Sequence, residues 1–259
     1  MKKRISNRPI FLLIAVLMIV IIGITLLVTY VVNPVFMDQV KKAPSGMSDY
    51  FETADYTIDP TTILEDLSKG KKNIFMPLMA TPEVYEKLYL SPFPWKQADY
   101  LNIANALHQY VWNETLDDWY VYNMSFYGNC RYDPVGFDLF QVTYFRDIGS
   151  QNYTTREIDI FPLYGGAATG GGTNFPRPLF GWKSLELDKL KITVDDALRL
   201  AEENGGKESR LAFKNKCDIS VFITSHGQSW KVLYYEDTNG KRIFEANIDP
   251  YTGEFDVQK

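Results

Sequence analysis

The sequence predicts an α+β fold: a single N-terminal transmembrane helix followed by units in which a helix lies on an antiparallel sheet. Three observations carry this expectation. From Ile10 to Val32 the chain runs 23 residues without a charge, and a hydrocarbon core about 30 Å thick needs about 20 such residues in a helix. Farther on, two stretches place apolar residues at three- and four-residue spacing, as an amphipathic helix does. Each is followed by three short runs with strand-like alternation, separated by turn residues.

The N-terminal segment is expected to be an uncleaved anchor. A secretory signal peptide has an apolar core of roughly 7–15 residues and a small-x-small cleavage site. Here the apolar run is longer and ends in Tyr30-Val31-Val32-Asn33-Pro34. Lys2, Lys3, Arg4 and Arg8 precede it, so the positive-inside rule places residues 1–9 in the cytoplasm as a tail and the rest outside the cell membrane. Residues 33–59 read as a linker. Lys41 and Lys42 bring residues 1–43 to a net charge of +5, which leaves −10 of the overall −5 for the other residues. An acidic body repels phosphate backbones, so nucleic acid is not an expected partner. The hydrophobic share of 46% and charged share of 23% exclude a largely disordered chain.

Residues 60–165 read as an α+β domain. Ile63, Leu64 and Leu67 share a face in a short helix over 60–68, and Thr81-Pro82-Glu83 opens a helix expected to run to Leu90. Ser91-Pro92-Phe93-Pro94 breaks the chain. A helix over 96–113 carries Leu101, Ala104, Leu107 or His108, and Val111 at helical spacing, and strands are expected at 119–127, 137–146 and 154–161. Residues 166–191, rich in Gly and Pro, read as a connector. A glycine loop cradles phosphate when a helix with Lys-Ser/Thr follows, and Asn174-Phe175-Pro176-Arg177-Pro178 does not start one.

The last part, 192–259, opens on Thr193-Val194-Asp195-Asp196, a capping-box start with Asp in place of Glu. Its helix is expected to stop at Gly205-Gly206, with strands at 218–224, 229–236 and 242–249. FQVTYFRD (140–147) overlays WKVLYYED (230–237), and Glu157, Ile160, Pro162 and Gly165 overlay Glu245, Ile248, Pro250 and Gly253. The helices and first strands align poorly, so two tandem copies and two unrelated units both stay open.

The order ITVDDALRLAEENGG, a short strand, SWKVLYYED and then RIFEANIDPYTGEF resembles a PepSY domain. Its landmarks fall on Ala197-Leu198, Gly205-Gly206, Trp230 and Asp249 through Glu254, so the resemblance covers about 192–257. It implies a bacterial, extracytoplasmic protein of a family thought to modulate peptidases, with no catalytic residues to carry over. The peptidase zinc motif H-E-x-x-H is absent from the sequence.

Cys130 and Cys217 are a candidate disulfide in an oxidising compartment, with two buried free thiols as the alternative. His226 lies in a turn, which gives a catalytic histidine neither support nor burial. Asp117-Asp118 and Glu202-Glu203 read as solvated surface, and Asp195-Asp196 as helix-start acids. No catalytic, cofactor or metal residues are predicted, and no cofactor is expected. The function expected is a membrane-anchored, non-catalytic binding or regulatory protein. Its partners are the lipid bilayer through 10–32 and an envelope protein, a peptidase among the candidates. That protein would add a strand at the sheet edge formed by Arg242, Glu245 and Asn247. One alternative is a glycan or cell-wall peptide module that stacks its ligand on Trp112, Trp119 and Tyr120. The other is an enzyme of unrecognised type, which needs carboxylates gathered in a pocket.

Overall fold

In the computed structural model, residues 53–78, 86–132, 135–149, 152–176, 184–225 and 229–257 are described, and all of them belong to one compact unit, 50–259. In chain order the strands are β1 (Ala54–Thr57), β2 (Met76–Pro77), β3 (Tyr120–Asn129), β4 (Phe137–Gly149) and β5 (Asn152–Phe161). Then come β6 (Gly166–Pro176), β7 (Cys217–Thr224), β8 (Trp230–Glu236), β9 (Arg242–Ile248) and β10 (Phe255–Val257). They form a single sheet in the order β10-β9-β8-β7-β3-β4-β5-β6-β1-β2, antiparallel throughout. Its N- and C-terminal parts are joined by the β3–β7 pair, in register from Asn123 opposite Thr224 to Asn129 opposite Asp218.

Period-two alternation sets the two faces. Met124 and Phe126 of β3, Phe140 and Val142 of β4, and Ile219, Val221 and Ile223 of β7 are all buried. Trp230, Val232 and Tyr234 of β8 continue that face. The helices cover it. They are α1 (Ile63–Ser68), α2 (Gln97–Trp112), α3 (Val194–Ala201) and α4 (Lys207–Ala212). The stripe of α2 that holds Tyr100, Ile103, Ala104, Leu107 and His108 is buried, and Tyr100 packs its ring against Phe126 and Phe140. Val194, Ala197, Leu198 and Ala201 form the buried stripe of α3, which touches β7 and β8.

The expected fold class is corrected here. The chain does not build separate helix-on-sheet units but one ten-stranded sheet, in which helices are a minor part. The reason is β3–β7 pairing: each strand would be an open edge in an isolated unit, and each satisfies the other's backbone groups. Periodicity identifies a strand but not its distant partner. No helix among the described residues is long and apolar enough to cross a membrane, so the transmembrane helix expected as part of the fold has no counterpart in it. Residues 10–32, on which that span was expected, lie outside the described residues.

The connector expected at 166–191 is corrected too, because Gly166–Pro176 is β6, paired with β5 on one side and β1 on the other. Arg156 lies over this strand, so that a Cβ on Gly171 would sit 3.0 Å from the guanidinium. The helix expected to reach Leu90 does not, since 86–90 is irregular and 81–85 lies outside the described residues. The stop expected at Gly205-Gly206 is present: Asn204 and Gly205, the latter at φ +109°, leave helical φ/ψ, and a separate helix, α4, starts directly after Gly206.

Candidate functional site

The N-termini of α2 and α3 meet, and each satisfies amides the other leaves open. The Val194 N–H donates to Gln97 Oε1 at 2.8 Å, and the Gln97 N–H donates to Asp195 Oδ2 at 3.3 Å. The other oxygen of Asp195 lies 3.5 Å from Lys96 Nζ. Thr193 and Asp196 form a capping box at the start of α3, and at the start of α2 the Asp99 carboxylate accepts from the Lys96 backbone N–H at 2.7 Å. The first-turn donors of a helix have no intrahelical partner, so this reciprocal arrangement locks the two starts together.

Beside the junction lies a groove of about 780 Å³, within the size range of small-ligand sites. Pro92, Phe93, Pro94 and Trp95 form one wall, Val135, Gly136 and Phe137 a second, and Leu198, Arg199 and Glu202 of α3 a third. Phe93 and Trp95 lie 5.4 Å apart ring to ring, and Trp95 meets Tyr100 edge-on at 5.3 Å. Tyr100 donates its hydroxyl to the Phe137 carbonyl at 3.2 Å, and burial raises its pKa well above the ordinary range. Gly136 lets the proline loop approach: a Cβ there would sit 2.8 Å from Pro92 Cβ. Gly136→Val is therefore expected to displace the 91–95 wall, read as increased protease cleavage at that loop with the Trp230 side of the core unchanged.

The charged lining is committed to structure. Glu202 accepts from Tyr234 at 2.6 Å and from Arg210 Nε at 2.8 Å, and Arg210 also donates to Asn215 at 2.9 Å. Burial first, and the bond to Glu202 second, push the Tyr234 hydroxyl far above its ordinary pKa. Asp196 pairs with Thr193 and lies 3.6 Å from Arg199. These groups hold the walls, and the free lining is mainly aromatic, proline and aliphatic. That composition suits an apolar side chain of an extended segment. Among the described residues no cluster of three or more metal-ligating side chains occurs.

The residues expected to act are placed elsewhere. Trp119 is only 7% exposed, and the Arg146 guanidinium lies 4.6 Å from its ring. Trp112 is half-buried, with Arg156 4.8 Å away. Tyr120 is exposed but rests on Phe145, ring centres 5.6 Å apart. The three make no common stacking patch, because two of the aromatic faces already hold cations. Of the edge expected at Arg242, Glu245 and Asn247, only the last part is covered: β10 pairs with β9 from Ala246 to Ile248, with Asp256 opposite Asn247. Glu245 is buried on the sheet face that α2 and α3 leave uncovered, where it pairs with Lys231 at 3.1 Å and with Arg242.

Cys130 and Cys217 are joined by a disulfide, with Cα atoms 5.2 Å apart. His226 lies outside the described residues. The groove itself went unseen in the sequence. Ser91-Pro92-Phe93-Pro94-Trp95 was legible only as a chain break, although two aromatics alternating with prolines are a signal for an apolar wall. Comparison with protein-family models, with curated proteins and with solved structures finds no match to this chain.

Proposed function

We propose that this chain is a non-catalytic binding protein working on the extracytoplasmic side of the cell membrane, and that the groove beside the α2 and α3 starts holds an apolar segment of an envelope protein. The observation that carries the reading is the groove's lining: aromatic, proline and aliphatic walls, with Asp195, Asp196 and Glu202 each engaged by neighbouring protein groups. A peptidase is the partner class implied by the PepSY resemblance of 192–257. Two observations support the location. A disulfide persists in oxidising compartments, and 23 residues without a charge, 10–32, suit contact with the lipid bilayer.

A photo-reactive side chain at Arg199, on the groove rim, is expected to capture a partner in cells that the same group at Lys69 does not. The decisive measurement then uses the purified partner. Phe93→Ala is expected to weaken binding about tenfold or more, the loss of roughly 1.4 kcal/mol or more that truncating an interface aromatic produces. Affinity equal to wild type, in a variant with wild-type melting behaviour, removes the groove from the proposal.

A further inference from the structure

His108 lies on the buried stripe of α2, inaccessible to solvent, and neither of its ring nitrogens is hydrogen-bonded. Three rings close on it: Trp112 at 5.1 Å, Trp119 at 4.9 Å and Tyr144 at 5.4 Å between ring centres. Two guanidiniums cap these rings, Arg146 over Trp119, and Arg156 at 4.8 Å from Trp112 and 5.3 Å from Trp119. Glu114 holds both arginines, at 3.1 Å and 3.7 Å, and the exposed Asp118 reaches Arg146 at 3.6 Å. Tyr144 donates to Asn105 of α2 at 2.8 Å. From α1, packed on α2, Glu65 and Asp66 pair with Lys69 and Lys71 instead.

We propose that this box is an acid-operated latch: a proton on His108 drives the segment from Trp112 to Trp119 off the sheet. Only the neutral ring fits the closed box. An imidazolium would be a third cation beside Arg146 and Arg156, buried and without an acceptor at either nitrogen. Burial, then Arg156 and Arg146, lowers the ring's pKa to about 4. In the opened segment the ring returns toward the ordinary value of about 6.5. Between those values the open state binds a proton that the closed state refuses. The closed box is therefore fully favoured above about pH 6.5, loses stability as pH falls, and has lost the whole contribution below about pH 4.

Asp159 titrates in the opposite sense. Burial first, and Glu157 second, raise its carboxyl to about 6, so the folded state takes up that proton more readily and gains stability as pH falls toward the ordinary carboxylate range. Burial raises the Glu157 and Asp138 carboxyls as well, so global stability mixes several groups and the test must be local. Near-ultraviolet circular dichroism and tryptophan fluorescence of the full chain are followed from pH 7.5 to 3.5. The tryptophan signal is expected to collapse with a midpoint at roughly pH 4–5 while far-ultraviolet signal persists. His108→Phe fills the box with an uncharged ring and is expected to hold the signal to about one pH unit lower or more. A His108→Phe midpoint equal to wild type overturns the latch. If that variant does not fold, NMR titration of the wild-type imidazole decides: a midpoint near 4 supports the latch, and one near 6.5 in the folded protein overturns it.

Discussion

Replacing both Cys130 and Cys217 with serine is expected to lower the unfolding free energy by about 4–5 kcal/mol, the chain-entropy value for a loop of this length. The separation is 87 residues. Cys130 directly follows β3 and Cys217 begins β7, so the bond extends the β3–β7 ladder by one rung. The Cys130 N–H donates to the Cys217 carbonyl at 2.8 Å. Both residues are fully buried. The cross-link therefore closes the one seam through which the two halves of the sheet are hydrogen-bonded among the described residues. For a folded unit of this size a loss that large lowers the melting temperature by roughly 10 °C or more. Urea denaturation of oxidised wild type, reduced wild type and the double variant checks it. The reduced protein separates the cross-link from the polarity of a buried serine. A midpoint in the reduced protein equal to the oxidised one would show that the ladder and core hold the seam without the bond.

Trp230→Ala is expected to cost about 3–5 kcal/mol for the cavity, with about 1–3 kcal/mol more for the acceptor it strands. Trp230 is inaccessible to solvent on β8, at the centre of the face that also carries Val232 and Tyr234, and it meets Phe126 of β3 ring to ring at 6.3 Å. Its indole N–H donates to the Ile192 carbonyl at 2.8 Å. Ile192 precedes Thr193, the N-cap of α3, so this bond ties the start of that helix to the sheet. The loss should reach the groove, whose third wall is α3. Trp230→Phe keeps much of the ring volume and removes only the donor, and it is expected to lose the smaller share. Denaturation curves for both, read beside partner affinity, separate packing from tethering. Equal stability of Trp230→Phe and wild type would remove the tethering role.

The groove illustrates why the candidate site was less legible than the elements. The Thr193 and Asp196 pattern announces a helix start, and a capping box forms there. At the start of α2 the Asp99 carboxylate accepts from the Lys96 N–H. Nothing in either local pattern indicates that Gln97 and Asp195, 98 positions apart, bond each other's helix. Glu202 reads as half of a solvated acidic pair, yet the kink at Gly205 and Gly206 turns α4 back so that Arg210 reaches it. Gly206 is tied to that geometry, since a Cβ there would lie 2.7 Å from the Ala201 carbonyl oxygen. Trp112 and Trp119 are aromatic enough to suggest a stacking surface, but Arg146 and Arg156 arrive from strands far along the chain and occupy their faces.

By itself the sequence determined the local periodicities. Alternation of two places Ile219, Val221 and Ile223 on one buried face, and three- and four-residue spacing places Ala104 and Leu107 on another, because both patterns follow from the geometry of a single strand or helix. It also set the acidic balance of the chain beyond residue 43. Tertiary structure alone decided what each element lies against. It joined β3 to β7, drew a glycine-rich stretch into the sheet as β6, paired β10 with the last residues of β9, and closed His108 inside a box of rings and arginines. The physical reason is range. A residue's own neighbours impose its periodicity, whereas a strand's unpaired N–H and C=O groups accept any edge that the rest of the chain brings within reach.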